Sequence, residues 1–164
     1  MGWFGMGLLM VHLLMVCASV AGRIRQSQRI VAVQIRDYIC VGHMAGTVTY
    51  NLVIEGHLRQ HNKEEAFCLL NEMRNGGILP NVYTYSIFIN GLCQIGESKK
   101  ACDLLEEMIA EGLKPNAFVY APLISGYCRE GSFSLACEAL KKMTEQNVIP
   151  DLYCYNSLII GLSI

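Results

Sequence analysis

His57 and His61 stand four residues apart, the spacing at which a helix aims two imidazoles at one metal ion. The stretch reads "HLRQH", without the glutamate that a zinc hydrolase carries beside its first histidine, and no third ligand is evident. No metal and no cofactor is expected. The 8 cysteines are a second store of reactive groups. None forms a C-x-x-C pair, while Cys93 and Cys128 are 35 apart, as are Cys102 and Cys137. Thiols locked to a fixed period occupy equivalent core sites, where they act as small hydrophobes. Buried free thiols are therefore expected rather than disulfides or metal ligands. No nucleophile elbow, phosphate loop or pair of catalytic carboxylates is present. The sequence does not read as an enzyme, and no small-molecule substrate is expected.

The remaining polar residues of interest are those in register with tyrosines, and the register leads to the elements that position them. "GILPNVYTY" at 77–85, "GLKPNAFVY" at 112–120 and "NVIPDLYCY" at 147–155 are near-copies. Tyr50, Tyr85, Tyr120 and Tyr155 are spaced by 35, as are Gly56, Gly91, Gly126 and Gly161. The same period links Ala66, Ala101 and Ala136; Met73, Met108 and Met143; and Pro80, Pro115 and Pro150. A single fixed period over so many residue types marks a stacked repeat array. Complete units lie at 47–81, 82–116 and 117–151, and a partial one at 152–164.

Each unit reads as two helices. The first, such as "YSIFINGLCQIG" from Tyr85, is apolar at helical spacing and ends near Gly96 or Gly131. The second, "ESKKACDLLEEMIAEG" from Glu97, sets Ala101, Leu104, Leu105 and Met108 on one face and its charges on the other. Gly77, Gly112 and Asn147 fall where a helix ends on a left-handed residue. A proline three residues later prevents continuation, and the Asn or Asp after it can cap the next helix. The recurring glycine inside each first helix lowers helix propensity by about 1 kcal/mol, which predicts a close helix–helix approach. A unit this small cannot bury its own apolar faces, so its neighbours must complete the core. The expected fold is an all-α helical-hairpin solenoid.

The net charge of −1 hides an asymmetry. Residues 1–46 hold four arginines (Arg23, Arg25, Arg29, Arg36) against Asp37 alone, whereas the repeats are acidic, with nine Lys or Arg against thirteen Asp or Glu. Residues 1–22 carry no charged side chain. Three readings of this head stand. An Arg-rich, acid-poor start suits an organellar presequence, for a mitochondrion or, as the alternative, a plastid. An apolar run of this length also suits a secretory signal or membrane anchor, although its first positive charge follows the run. The third reading is an eroded or fused segment: Tyr38 stands where methionine is expected and Ala45 where proline is expected.

The unit "TVTYNLVIEGHLRQHNKEEAFCLLNEMRNGGILPN", with "YSIFINGLCQIG" and "YNSLIIGL", resembles a pentatricopeptide repeat of the plain P type and its fertility-restorer-like branch. The match runs from Thr47 to Ile164, and the array reads as a truncated member. The resemblance implies binding of single-stranded RNA, one base per repeat, in organellar RNA processing, stability or translation, with no DNA partner. Base-reading residues would be the fifth and last of each unit. These are Asn51 with Asn81, suggesting a pyrimidine; Ser86 with Asn116, suggesting adenine; and Ala121 with Asp151, an unusual pair because alanine cannot hydrogen-bond a base edge. Asn156 opens the partial unit. Second-position residues Val48, Tyr83, Phe118 and Tyr153 would pack on base faces, and Arg59 and Arg129 would lie near phosphates.

A plainer reading competes for the same residues. Asn51, Ser86 and Asn156 also suit a helix's first turn, and Asn81, Asn116 and Asp151 are good caps with or without a ligand. Most acids lie on second helices, leaving the first helices nearly uncharged, so few phosphate contacts and weak salt dependence are expected. Other readings of function are a helical scaffold that binds protein, with self-association through the open final half-unit, and a degenerate copy with little activity of its own.

Overall fold

The computed structural model describes residues 46–162. The presequence, anchor and eroded-repeat readings of the head fall on residues outside this range. The described residues form seven helices and no strand: α1 (Thr47–Arg59), α2 (Lys63–Asn75), α3 (Val82–Ile95), α4 (Ser98–Ala110), α5 (Ala117–Arg129), α6 (Phe133–Glu145) and α7 (Leu152–Leu162). The fold is all-α. The odd-numbered helices begin at 47, 82, 117 and 152, one period apart.

The amphipathic stripe of each second helix is buried. Ala66, Leu69, Leu70 and Met73 on α2 recur as Ala101, Leu104, Leu105 and Met108 on α4. On α6 the set becomes Ala136, Ala139 and Met143, with Leu140 half-buried. Both helices of a unit end the same way. His61, Gly96 and Gly131 close the first helices, and Gly77, Gly112 and Asn147 the second, all with positive φ. The N–H after each then turns back to a carbonyl of the finished helix: Ile78 to Met73 at 3.0 Å, Leu113 to Met108 at 3.1 Å, Glu97 to Leu92 at 2.9 Å and Ser132 to Tyr127 at 2.8 Å. These bonds satisfy carbonyls that the helix end would otherwise leave open.

Helix starts are less uniform. Asn81 forms a full capping box with Thr84: its Oδ1 accepts the Thr84 N–H at 3.0 Å, and Thr84 Oγ1 accepts the Asn81 N–H at 3.2 Å. Asp151 Oδ1 accepts the Cys154 N–H at 2.9 Å. Asn116, at the same register, makes no side-chain cap bond.

Consecutive first helices pack directly, α1 on α3, α3 on α5 and α5 on α7. The recurring glycines make this possible. A Cβ on Gly91 would lie 2.9 Å from Leu58 Cβ, and one on Gly126 would lie 2.4 Å from Ser98 Oγ and 2.9 Å from Cys93 Cβ. At Gly161 it would meet Cys128 Cβ on α5 at 3.1 Å and the Phe133 ring at the start of α6 at 2.7 Å. Gly56 differs, with nothing among the described residues within 4 Å of its position. Phe67 and Phe88 add a tilted ring contact between α2 and α3, centroids 5.0 Å apart.

The second helices are tied to one another by charge. Arg74 on α2 donates to Glu107 on α4 at 2.6 Å, to Glu111 just past the end of α4 at 3.2 Å, and to the buried Tyr85 hydroxyl at 2.8 Å. Lys142 on α6 reaches Glu106 on α4 at 2.7 Å. Lys63 pairs with Glu97 and holds its carboxyl below the usual range. Between α4 and α6 a cavity of about 340 Å³ remains over Leu123 and Tyr127. Tyr120, equivalent to Tyr85, is buried, and its hydroxyl has no hydrogen-bond partner among the described residues. Ile109 stands where Arg74 does one unit earlier, so no guanidinium arrives there.

The thiols are free among the described residues, but not all are interior. Cys93 and Cys128 are buried, and burial pushes the Cys93 thiol up to about 12. Cys137 is exposed and Cys102 only partly covered, which corrects the expectation of equivalent core sites for that pair. Each follows the buried alanine of its second helix by one residue, so the side chain turns towards the flank and not the core.

Two measurements check these packing and capping assignments. Gly126→Ala should lower stability by about 1–3 kcal/mol through overpacking, whereas Gly56→Ala should raise it by up to about 1 kcal/mol through helix propensity. Asn81→Ala should cost about 1 kcal/mol as a lost cap, and Asn116→Ala far less. Thermal melts followed by circular dichroism read all four.

Candidate functional site

Stacking the first helices leaves an open groove of about 790 Å³ across α1, α3 and α5. Leu58, Ile87 and Gly91 lie at its base. Its polar lining is Glu55 and Arg59 from α1; Ser86, Asn90 and Gln94 from α3; and Asn116 at the start of α5. Tyr83 and Phe118 complete it with two aromatic rings.

The second-position side chains share one environment. Val48 is 72% exposed, Tyr83 59%, Phe118 80% and Tyr153 55%. The tyrosines two residues later are buried in the three complete units. Leaving a large apolar side chain in water forgoes about 1.5–3 kcal/mol of burial free energy. The same register forgoes it in every unit, which marks a surface made for contact.

Fifth-position residues diverge. Ser86 lies in the groove and donates its hydroxyl to the Tyr83 carbonyl at 2.8 Å, a bond that uses neither of its lone pairs. Asn51 is only 3% exposed, and its Oδ1 has no hydrogen-bond partner among the described residues. Ala121 is buried beside Pro122, and Asn156 is exposed on α7. Asn51, Ser86 and Asn156 therefore do not share one environment.

Last-position residues divide in the same way. The oxygen of Asn81 is committed to its capping box, and Asp151 to the Cys154 N–H, which holds its carboxyl below the usual range. Asn116 keeps its amide uncommitted by any cap and lines the groove. Ser86 and Asn116 of the second unit are thus brought together with Tyr83 and Phe118.

The two register-matched arginines part company. Arg59 lies in the groove, donating to Glu55 at 2.6 Å. Arg129 instead donates to the Cys93 carbonyl at 2.7 Å and does not line the cavity. Gln94 takes the matching place in the second unit and donates to Asn90 at 3.3 Å.

Glu55 and Asn90 had no role in the sequence reading. Both are ninth in their unit, four residues before Arg59 and Gln94, so helix geometry puts them on the same strip. Ser125, ninth in the third unit, accepts a bond from the Tyr153 hydroxyl at 3.2 Å. The ninth position of one unit therefore neighbours the second position of the next.

Chemically, the groove offers two rings for a planar ligand, amides and a hydroxyl for a polar edge, and one acid balanced by one base. No group of three His, Cys, Asp or Glu among the described residues could hold a metal ion. No helix among them is long and apolar enough to cross a membrane.

Residues 45–94 and 117–163 match the model of the PPR repeat family, and residues 83–113 match that of the PPR repeat. No curated protein matches the chain. Among solved structures, the pentatricopeptide repeat protein PPR10 in complex with an 18-nt psaJ RNA element aligns at TM-score 0.74 and 27% identity, over 82% of this chain and 20% of that one. PPR10 from maize aligns at 0.77 and 20% identity, over 85% and 20%. The PPR domain of Arabidopsis thaliana protein-only RNase P 1 in complex with tRNA aligns at 0.73 and 21% identity, over 95% and 80%. This chain thus spans about a fifth of the length of PPR10. Period, helix ends, stacked first helices and these matches agree: the chain belongs to the pentatricopeptide repeat family.

Proposed function

We propose that the chain binds single-stranded RNA along the groove of first helices, with the second unit as its principal reader. The observation that carries this reading is the exposure of Tyr83 and Phe118 in the same cavity as Ser86 and Asn116. Two rings one unit apart can flank a base, and base–aromatic stacking is worth about 1–3 kcal/mol per base. An amide and a hydroxyl can then bond its edge. Asn suits adenine, whose edge offers both a donor and an acceptor. PPR10 in complex with an RNA element shares the fold at 27% identity, which supports the reading.

The first unit contributes less than its residues suggested, because Asn51 is buried and the Asn81 oxygen caps α3. The third is limited by Ala121, which has no group to offer a base. One strong reading position and weak neighbours predict modest affinity and a preference set mainly by a single adenine. The cellular role we infer is organellar RNA processing, stability or translation, within the P-type, fertility-restorer-like branch. A mitochondrion is the compartment best matched by the Arg-rich, acid-poor head.

Fluorescence anisotropy with short labelled RNAs tests the reading. Replacing the adenine should weaken binding, and Tyr83→Ala or Phe118→Ala should each cost about 1–3 kcal/mol, roughly 5-fold to 150-fold in Kd. Asn116→Asp leaves only acceptors on the side chain, and should shift preference towards guanine, whose edge presents N–H donors. Equal affinity for scrambled RNA across all variants would refute base reading.

A further inference from the structure

Glu55 and Arg59 carry the only formal charges among the residues that line the groove, and they are bound to each other at 2.6 Å. Arg129, at the same register, has a different partner. Arg129 has Ser125 four residues before it, where Arg59 has Glu55. Arg129 donates to the Cys93 carbonyl on the preceding first helix. Arg59 lies on the groove wall and donates to Glu55 on its own helix.

Resting on the RNA reading above, we propose that Glu55 is a positioning residue for the nucleic-acid backbone, an internal competitor that occupies Arg59 until a phosphate displaces it. A phosphate oxygen and a carboxylate oxygen present the same kind of acceptor to a guanidinium. An exposed pair spaced i, i+4 is weak enough to exchange for a ligand. In the free protein the pair cancels its own field, so this end of the groove offers polyanions no net attraction. Binding then depends on the stacking rings and the polar edge contacts, and strands that make neither gain little from charge. When a correctly stacked strand brings a phosphate alongside, Arg59 transfers from one acceptor to the other.

Glu55→Gln tests this in the full chain, because glutamine keeps the length and much of the helix propensity of glutamate. Wild type, Glu55→Gln, Arg59→Gln and the double variant are titrated with the adenine-containing RNA over a series of salt concentrations. Glu55→Gln should tighten binding about threefold to tenfold at low salt, and steepen the plot of log affinity against log salt by about 0.7, the share of one phosphate on a single strand that the freed Glu55 carboxylate offsets in the wild type. It should also raise affinity for scrambled RNA, narrowing discrimination. The double variant should fall back to wild-type affinity and slope.

Wild-type slope and affinity in Glu55→Gln would overturn the proposal. So would tightening that persists in the double variant, since Glu55 would then act by simple repulsion with no part for Arg59. Both outcomes leave RNA binding intact. Failure of the wild-type chain to bind single-stranded RNA at any salt would remove the underlying reading and this one with it.

Discussion

Contact between neighbouring first helices is the constraint on which the rest of the structure depends. Leu58 Cβ would lie 2.9 Å from a Cβ on Gly91, so a side chain at that position would force the two helices apart. The same closeness recurs at Gly126 and Gly161. Each glycine gives up helix propensity to let the helices touch. Because the contact falls at one register, it fixes the rotation of each helix on the last. Any residue type repeated at another register then forms a line on the surface.

The second-position line is the clearest result of that geometry. Tyr83 and Phe118 stand out from a helix whose other large apolar residues are mostly interior. The charge pattern follows the same division. Acids gather on the second helices, where Glu106, Glu107 and Glu111 tie one unit to the next through Lys142 and Arg74. The overall negative balance of the repeats therefore belongs to the outer layer, while the groove is close to neutral. An acidic chain and a polyanion-compatible groove coexist because the charges are segregated by helix.

Much of this could be read from period and residue type. Gly77, Gly112 and Asn147 were legible as left-handed helix ends because few residue types tolerate positive φ. The glycines at 91, 126 and 161 were legible as close approaches because an unhelpful residue recurring inside a helix demands a packing reason. His61 was not legible: it takes the left-handed position that Gly96 and Gly131 take later, in a residue type that does not signal it. The side-chain destinations were also hidden. Whether Arg129 meets a phosphate-facing surface or the Cys93 carbonyl depends on a neighbour 36 residues away. Asn81 is held in a capping box with Thr84, whereas Asn116, the same residue type at the same register, makes no side-chain cap bond. Asn51 illustrates the general difficulty, since register places a residue on a helix face but does not say how deeply that face is covered.

The two layers of the stack are joined by unlike forces. Steric contact sets the inner edge, and steric contact is short-ranged and barely adjustable. Long, flexible Arg and Lys side chains bridge the outer edge to carboxylates, and such bridges stretch, re-pair and weaken in salt. A ladder with one rigid rail and one elastic rail bends by lengthening or shortening the elastic one. Its curvature can follow the rise of whatever lies along the rigid side without breaking the apolar contacts that hold the rungs.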